Sequence, residues 1–295
     1  MKIAVTGASG LIGSALVPAL QGDGHVVVRL VRRAPAGPDE ARWDPESGTV
    51  DLDALAGTDA VFHLAAAGIG DHRWTESYKR TILESRTKGT RTIAEAIAGL
   101  DPKPSVLVSA SAIGFYGDTG AHFVDESSPR GSTFAASVVE SWENAAQPAR
   151  DAGIRVVHPR SGIVVSRHGG AFARLLPLFR IGLGGRLGSG RQYWSIVTMR
   201  DEIAGLRFLL GSDLSGPVNL TMPSPPTNAE LTSALSDALH RPAVIPAPEF
   251  ALRMVLGELS SEILGSIRAT PTIIERAGFV FSDPDVRAAA ATLKE

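Results

Sequence analysis

Three glycines at intervals of three, Gly7, Gly10 and Gly13, follow a short apolar run, Ile3-Ala4-Val5. Within Thr6-Gly7-Ala8-Ser9-Gly10-Leu11-Ile12-Gly13 the three have separate tasks. Gly7 lets the chain turn tightly off a strand, Gly10 lets backbone come close to a pyrophosphate, and Gly13 lets the next helix lie against the sheet. Backbone amides around Ser9, Gly10, Leu11, Ile12 and Gly13, and the positive end of the helix, then face an anion. Glycine-rich turns are common, but this one has a strand before it, a helix after it, and a second apolar run, Val26 to Val31, at βαβ distance.

The end of that second run selects between dinucleotides, because it lies beside the adenosine ribose. An Asp or Glu there would bond the 2′-hydroxyl of NAD. This chain has Arg29, Arg32 and Arg33 instead, with Arg32 and Arg33 where the strand ends. Guanidinium groups match a 2′-phosphate by paired, charge-assisted hydrogen bonds, so NADP(H) is expected over NAD(H). The competing reading is two solvated charges at the start of a loop.

These residues must be positioned by strands and helices in alternation. Strands are expected at 2–6, 26–31, 59–64, 105–109 and 154–158, and helices near 11–21, 75–99 and 134–151. Such alternation gives an α/β, doubly wound parallel sheet whose ligand crevice lies at the carboxyl ends of its strands. Pro18 should kink the first helix. After about residue 165 the texture changes to a glycine-rich loop, Gly182 to Arg191, then a helix from about Asp201 to Leu210. Pro223, Pro225 and Pro226 mark a linker, and Thr227-Asn228-Ala229-Glu230 reads as a capping box. The expected division is 1–165 for the dinucleotide and 166–295 for substrate, with segments near 195–222 returning to the first unit.

Composition bounds the partners. With 295 residues and a net charge of −2, nothing points to nucleic acid or an anionic membrane. The absence of cysteine excludes disulfides, thiolate metal sites and cysteine nucleophiles. No metal is expected. The first strand begins almost at the first residue and no apolar run reaches membrane-spanning length, so a cytoplasmic protein is expected, as monomer or homodimer.

Further marks make the pattern specific. His63-Leu64-Ala65-Ala66 closes an apolar strand, and Ser109-Ala110-Ser111 is followed by Phe115-Tyr116-Gly117. With the Gly-x-x-Gly-x-x-Gly turn, these resemble the extended short-chain dehydrogenase/reductases. Trp43-Asp44-Pro45, Arg73-Trp74-Thr75-Glu76, Leu83-Glu84-Ser85-Arg86 and Gly188-Ser189-Gly190-Arg191-Gln192 resemble an atypical, sugar-nucleotide epimerase-like branch with a small C-terminal domain. The resemblance covers nearly the whole chain. It implies a Rossmann-type fold with a smaller, mainly helical substrate domain. It also implies that His63, Leu64, Ala65, Ala66, Ser109, Glu84 and Arg86 border the cofactor, and that Arg180, Arg186 and Arg191 could clamp the diphosphate of a sugar nucleotide.

The family's catalytic dyad is missing. Typical members use Tyr-x-x-x-Lys, in which the lysine and cofactor lower the tyrosine pKa for general acid or base work. The three tyrosines here, Tyr78, Tyr116 and Tyr193, are followed four residues on by Ile82, Gly120 and Val197. Counting back from Glu143, the dyad positions fall at Ala135 and Val139, give or take one. Ser111 matches the strand-end serine, but the stretch to Tyr116 is one residue longer than usual, so Ser109 and Ser111 are both candidates. Tyr116, His63, Lys79, Asp71, Arg73, Glu84 and Arg86 are available as substitutes for the tyrosine. Three readings follow: an NADP(H)-dependent oxidoreductase or epimerase acting on a sugar nucleotide or small carbonyl compound, a non-catalytic NADPH sensor, and a structural module.

Overall fold

The computed structural model describes residues 1–294. The chain enters β1 (Lys2–Thr6), turns through the glycines into α1 (Gly13–Gly22), and returns as β2 (Val26–Val31). Then come β3 (Glu40–Asp44), β4 (Thr49–Val50), the short α2 (Leu52–Leu55), β5 (Ala60–His63) and the long α3 (Glu76–Ala98). β6 (Val106–Ser109) and β7 (Ser111–Ala112) lead through a 3-10 turn at Ile113–Tyr116 to β8 (Phe123–Val124). α4 (Phe134–Asn144), α5 (Gln147–Asp151) and β9 (Arg155–Ser161) complete the classical half of the fold.

The main sheet runs β12-β9-β6-β5-β1-β2-β3-β4, where β12 is Gly216–Leu220. Every pairing in it is parallel except β3 with β4. Strand order reverses between β1 and β5, so their carboxyl ends open the crevice where such sheets bind ligands. Ile3, Ala4 and Val5 are fully buried because helices cover both faces, which is why β1 reads as an unbroken apolar run. One face packs Leu16 and Leu20 of α1 with Leu206 and Leu209; the other packs Ile93, Ala94 and Ile97 of α3 with Leu107 and Val156.

Three features add to what the sequence suggests. α1 runs through Pro18 to Gly22; Pro18 and Ser14 are both exposed, so the carbonyl that loses its helical donor faces water. The helix expected over 134–151 breaks after Asn144 and restarts with Pro148 in the first turn of α5, where a missing N–H costs least. β3 was not expected; its inner residues Ala41 and Trp43 are buried and its Glu40 is fixed by hydrogen bonds from Arg33 and the Ala36 amide.

Beyond β9 the chain forms β10 (Ile163–Val165), α6 (Gly170–Arg180), β11 (Ile196–Thr198), parallel to β10, and α7 (Met199–Gly211), which packs under the sheet. After β12 come α8 (Asn228–Leu239), α9 (Glu249–Leu256), α10 (Ser260–Leu264), β13 (Arg268–Ala269), α11 (Thr272–Arg276) and α12 (Val286–Ala291). Thr227 and Glu230 form the expected capping box on α8. A separate core of Phe172, Leu176, Phe179, Trp194, Leu231 and Leu235 holds this mainly helical region. No described helix is long and apolar enough to cross a membrane.

Candidate functional site

At the end of β1, Gly7 takes φ +67°, and a Cβ there would lie 2.8 Å from the Ala65 amide nitrogen. A Cβ on Gly13 would lie 2.2 Å from the Gly7 carbonyl oxygen, so both positions demand glycine. Gly10 donates to the Gly7 carbonyl at 2.9 Å, and a Cβ on Gly10 would meet only that oxygen, at 3.2 Å. The ground in front of Gly10 is therefore clear of protein. Among the described residues, the amides of Leu11, Ile12 and Gly13 have no backbone acceptor. Three unsatisfied donors at a helix N-terminus form a seat for an anion. Gly169 and Gly170, leading into α6, pack on the Leu11 side chain, so α6 begins over this loop.

The wall opposite is Leu64, Ala65 and Ala66. Thr6 Oγ1 accepts from the Leu64 and Ala65 amides at 3.1 and 3.3 Å. Its own proton therefore goes to His63 Nδ1 at 2.8 Å, which leaves His63 in the Nε2–H tautomer. The His63 ring is fully buried, edge-on to Trp43, and burial pushes its pKa down to about 3. His63 thus stands at the end of β5 as a neutral, fully buried brace against Thr6. Arg86 and Ser85 hold the same wall one turn on: Arg86 Nη1 donates to the Ala67 carbonyl at 3.0 Å and the Ala67 amide donates to Ser85 Oγ at 3.2 Å. Arg86 lies over the Trp142 ring, and burial pushes its pKa down to about 10. Glu84 turns away and pairs with Lys88 at 3.0 Å.

At the adenosine end the two arginines part company. Arg33 forks onto Glu40, with both hydrogen bonds at 2.6 Å. The Arg33 bonds, joined by the Ala36 amide, hold the Glu40 carboxyl down at about 2. Arg32 is exposed and has no carboxylate partner among the described residues.

The strand ends of β6 and β9 carry a closed network. Ser111 Oγ donates to Glu143 Oε1 at 2.6 Å, and Arg160 grips both Glu143 oxygens at 2.8 and 2.9 Å. Arg160 Nη1 also donates to Tyr116 Oη at 3.1 Å, while Tyr116 donates to Asn219 Oδ1 at 2.8 Å. Asn219 Nδ2 donates to the Thr270 carbonyl, which fixes the amide's orientation. Burial works to raise the Glu143 pKa, but the bonds and charge of Arg160 outweigh it and the carboxylate stays ionised. Tyr116 is 3% exposed, and burial pushes it up to about 12 against the pull of Arg160. Tyr116 is thus held within the core between Arg160 and Asn219. Ser109 is fully buried with an unpartnered hydroxyl, leaving Ser111 as the serine tied into a charged network.

Ala135 and Val139 are each 4% exposed. A Cβ on Gly114 would come 3.5 Å from the Ala135 Cβ, so α4 packs against the 3-10 turn where a tyrosine ring would need room. Lys79 is taken by Glu258 at 2.6 Å and Glu76 at 3.3 Å. Arg73 donates to the Met254 carbonyl, and Asp71 pairs with Arg174 at 3.6 Å, joining α6 to the loop after β5. Arg180, Arg186 and Arg191 are exposed, and no hydrogen bond or ion pair joins them to Ser111 among the described residues. The sequence reading missed Arg160, Asn219 and Glu202. Glu202 is fully buried, accepts from Ser161 at 2.6 Å, and is pushed up to about 7 by burial. The available signal was Pro159-Arg160-Ser161, polar residues closing an apolar strand.

Comparison with known proteins shows the family and the fold. Residues 3–219 match the model of the NAD dependent epimerase/dehydratase family. The chain belongs to that family. Residues 247–293 match a domain of unknown function, DUF1731. An epimerase family protein of Mycobacterium bovis is 46% identical over 281 residues, covering 95% of this chain and 93% of its own. The mouse epimerase family protein SDR39U1 is 36% identical, with 98% of each chain covered. The crystal structure of human SDR39U1 (isoform 2) with NADPH has a TM-score of 0.91 at 32% identity, covering 100% of this chain and 99% of that one. A Thermus thermophilus UDP-glucose 4-epimerase with NAD, at 21% identity and TM-score 0.76, shares the fold. This member of the epimerase/dehydratase family thus has the family's fold, with buried, apolar Ala135 and Val139 at the positions where Tyr and Lys are expected.

Proposed function

We propose that this chain is an NADP(H)-dependent oxidoreductase or epimerase whose substrate is a sugar nucleotide or a small carbonyl compound. The observation that carries the cofactor is the row of unsatisfied amides at Leu11 to Gly13, in front of a glycine with clear space beside it. Arg32, free and exposed at the end of β2, fits the 2′-phosphate, while Arg33 with Glu40 stiffens the loop that carries it. The similar human protein was solved with NADPH, which supports the same choice here. Leu64, Ala65 and Ala66 would border the nicotinamide side. When bound, the dinucleotide supplies or accepts hydride.

Ser111 has a defined polarity. Its proton is donated in a hydrogen bond to the ionised Glu143, so its remaining capacity is two acceptor lone pairs. Ser111 therefore orients a substrate by accepting from its hydroxyl, rather than by donating to a carbonyl. Arg191 is offered as the partner of a substrate diphosphate, within a substrate-binding region spanning 166–295. A cytoplasmic location fits this reading.

A second reading has its own support. With Ala135 and Val139 at the dyad positions and Tyr116 committed, the site holds no evident proton donor, as expected of an NADPH-binding regulatory protein. The deciding experiment mixes protein and NADPH with a panel of sugar nucleotides and simple carbonyls and follows absorbance, with a separate assay for epimers. Substrate-dependent oxidation or epimer formation establishes the enzyme; tight binding with neither establishes the sensor.

A further inference from the structure

The net charge of −2 hides an uneven distribution. Residues 166–200 contain Arg167, Arg174, Arg180, Arg186, Arg191 and Arg200, and no Asp or Glu. Arg174 and Arg200 are paired with Asp71 and Asp283; the other four have no carboxylate partner among the described residues.

Two of the unpaired arginines lie along an apolar strip. The segment after α6 and the segment before α9 run side by side. Arg241 Nε donates to the Arg180 carbonyl at 3.1 Å, the Ile245 amide to Gly184 at 3.2 Å, and the Ala247 amide to Arg186 at 2.9 Å. Ile181, Leu183, Val244 and Ile245 project from this pair of segments, and Phe250 and Met254 follow on α9. All six are 49–77% exposed. α9 has no buried residue at all. Phe250 and Met254 are four apart and share one face of it. Arg180, Arg186 and Arg241 border the strip, while Arg253 is neutralised by Glu249 at 2.7 Å.

Exposed apolar side chains gathered on two hydrogen-bonded segments, and continued on the helix that follows, mark an interaction surface. A second copy docked by two-fold symmetry would set this patch against itself, arginine toward arginine. An anionic lipid surface satisfies both components: side chains such as Phe250 and Ile181 enter the boundary of the acyl region while guanidinium groups meet phosphate headgroups. We propose that the strip formed by residues 180–186, 241–247 and α9 is a peripheral docking face for membranes rich in anionic phospholipid. This revises the expectation of no membrane partner, which rested on the chain's average charge. It does not depend on the oxidoreductase reading.

The test is co-sedimentation of the full chain with vesicles of phosphatidylcholine alone and with added phosphatidylglycerol, alongside light scattering of the protein without vesicles. The chain should pellet with the anionic vesicles only. Phe250→Asp with Ile181→Asp should abolish pelleting while leaving the circular dichroism spectrum unchanged, as the high exposure of both positions permits. Each of Arg180→Ala, Arg186→Ala and Arg241→Ala should weaken it by about fivefold, and added salt should do the same. No pelleting with anionic vesicles, or undiminished pelleting of the double Asp variant, overturns the proposal. So does a dimer in solution that the double Asp variant dissociates, since the strip would then belong to a second copy.

Discussion

The two halves of the crevice use their polar groups in opposite ways. At the ends of β1 and β2, backbone amides and one arginine stand without partners, and Gly10 keeps the space before it clear. At the ends of β6 and β9, serine, glutamate, arginine, tyrosine and asparagine satisfy one another in an unbroken chain. Unmet hydrogen-bonding capacity marks a place for a ligand, while mutual satisfaction marks a place that holds itself together. A residue type alone does not distinguish the two. Tyr116 and Arg160 have the chemistry of an active site and the surroundings of a core.

Breaking the closed half should give the largest effect. Glu143→Ala leaves the Arg160 guanidinium buried without its counter-charge, which should cost about 3–5 kcal/mol in stability by urea unfolding. A loss below about 1 kcal/mol would mean that water reaches Arg160 and the network is open. The open half should answer in binding instead. Gly10→Val fills the cleared space and should weaken NADPH roughly 100-fold, ~3 kcal/mol, with little change in melting temperature. Gly13→Val, which collides with backbone, should lower both.

A pH series sharpens the contrast. The buried Glu202 carboxyl titrates near 7 in the folded chain against 4.5 ordinarily, so the folded state keeps a proton that the unfolded state has released. Its effect on stability is thus nil at low pH and grows as pH rises from about 4.5 to 7, in the destabilising direction. Glu202→Gln should therefore raise the melting temperature at pH ~8, by up to roughly 3 kcal/mol in stability, and hardly at pH ~5. A gain independent of pH would place the cause elsewhere. The smallest effect is expected from the arginine pair: Arg32→Ala should weaken NADPH about tenfold relative to NADH, as loss of a charge-assisted contact implies. Arg33→Ala should act more weakly and on both cofactors, because its side chain serves Glu40.

The open half was legible because its signals are local. Gly7, Gly10 and Gly13 each answer a backbone requirement within eight residues, and the burial of β1 follows from its own composition. The closed half joins Ser111, Tyr116, Glu143, Arg160 and Asn219 across a span of over a hundred residues, and nothing in local periodicity announces that they meet. The partners of His63, Glu84 and Arg86 were out of reach for the same reason. A side chain's direction is set by partners distant in sequence as well as near, here Thr6, Lys88 and Ala67. Pro148 marks the break in sequence, since a residue without an N–H is tolerated best in a helix's first turn.

The central claim, that the open half is an NADPH site, is tested most directly by titrating the wild-type chain with NADPH and NADH while following nicotinamide fluorescence. Saturable binding with NADPH at least about tenfold tighter than NADH is the predicted result. Absence of binding, or equal affinity for the two, would contradict the account.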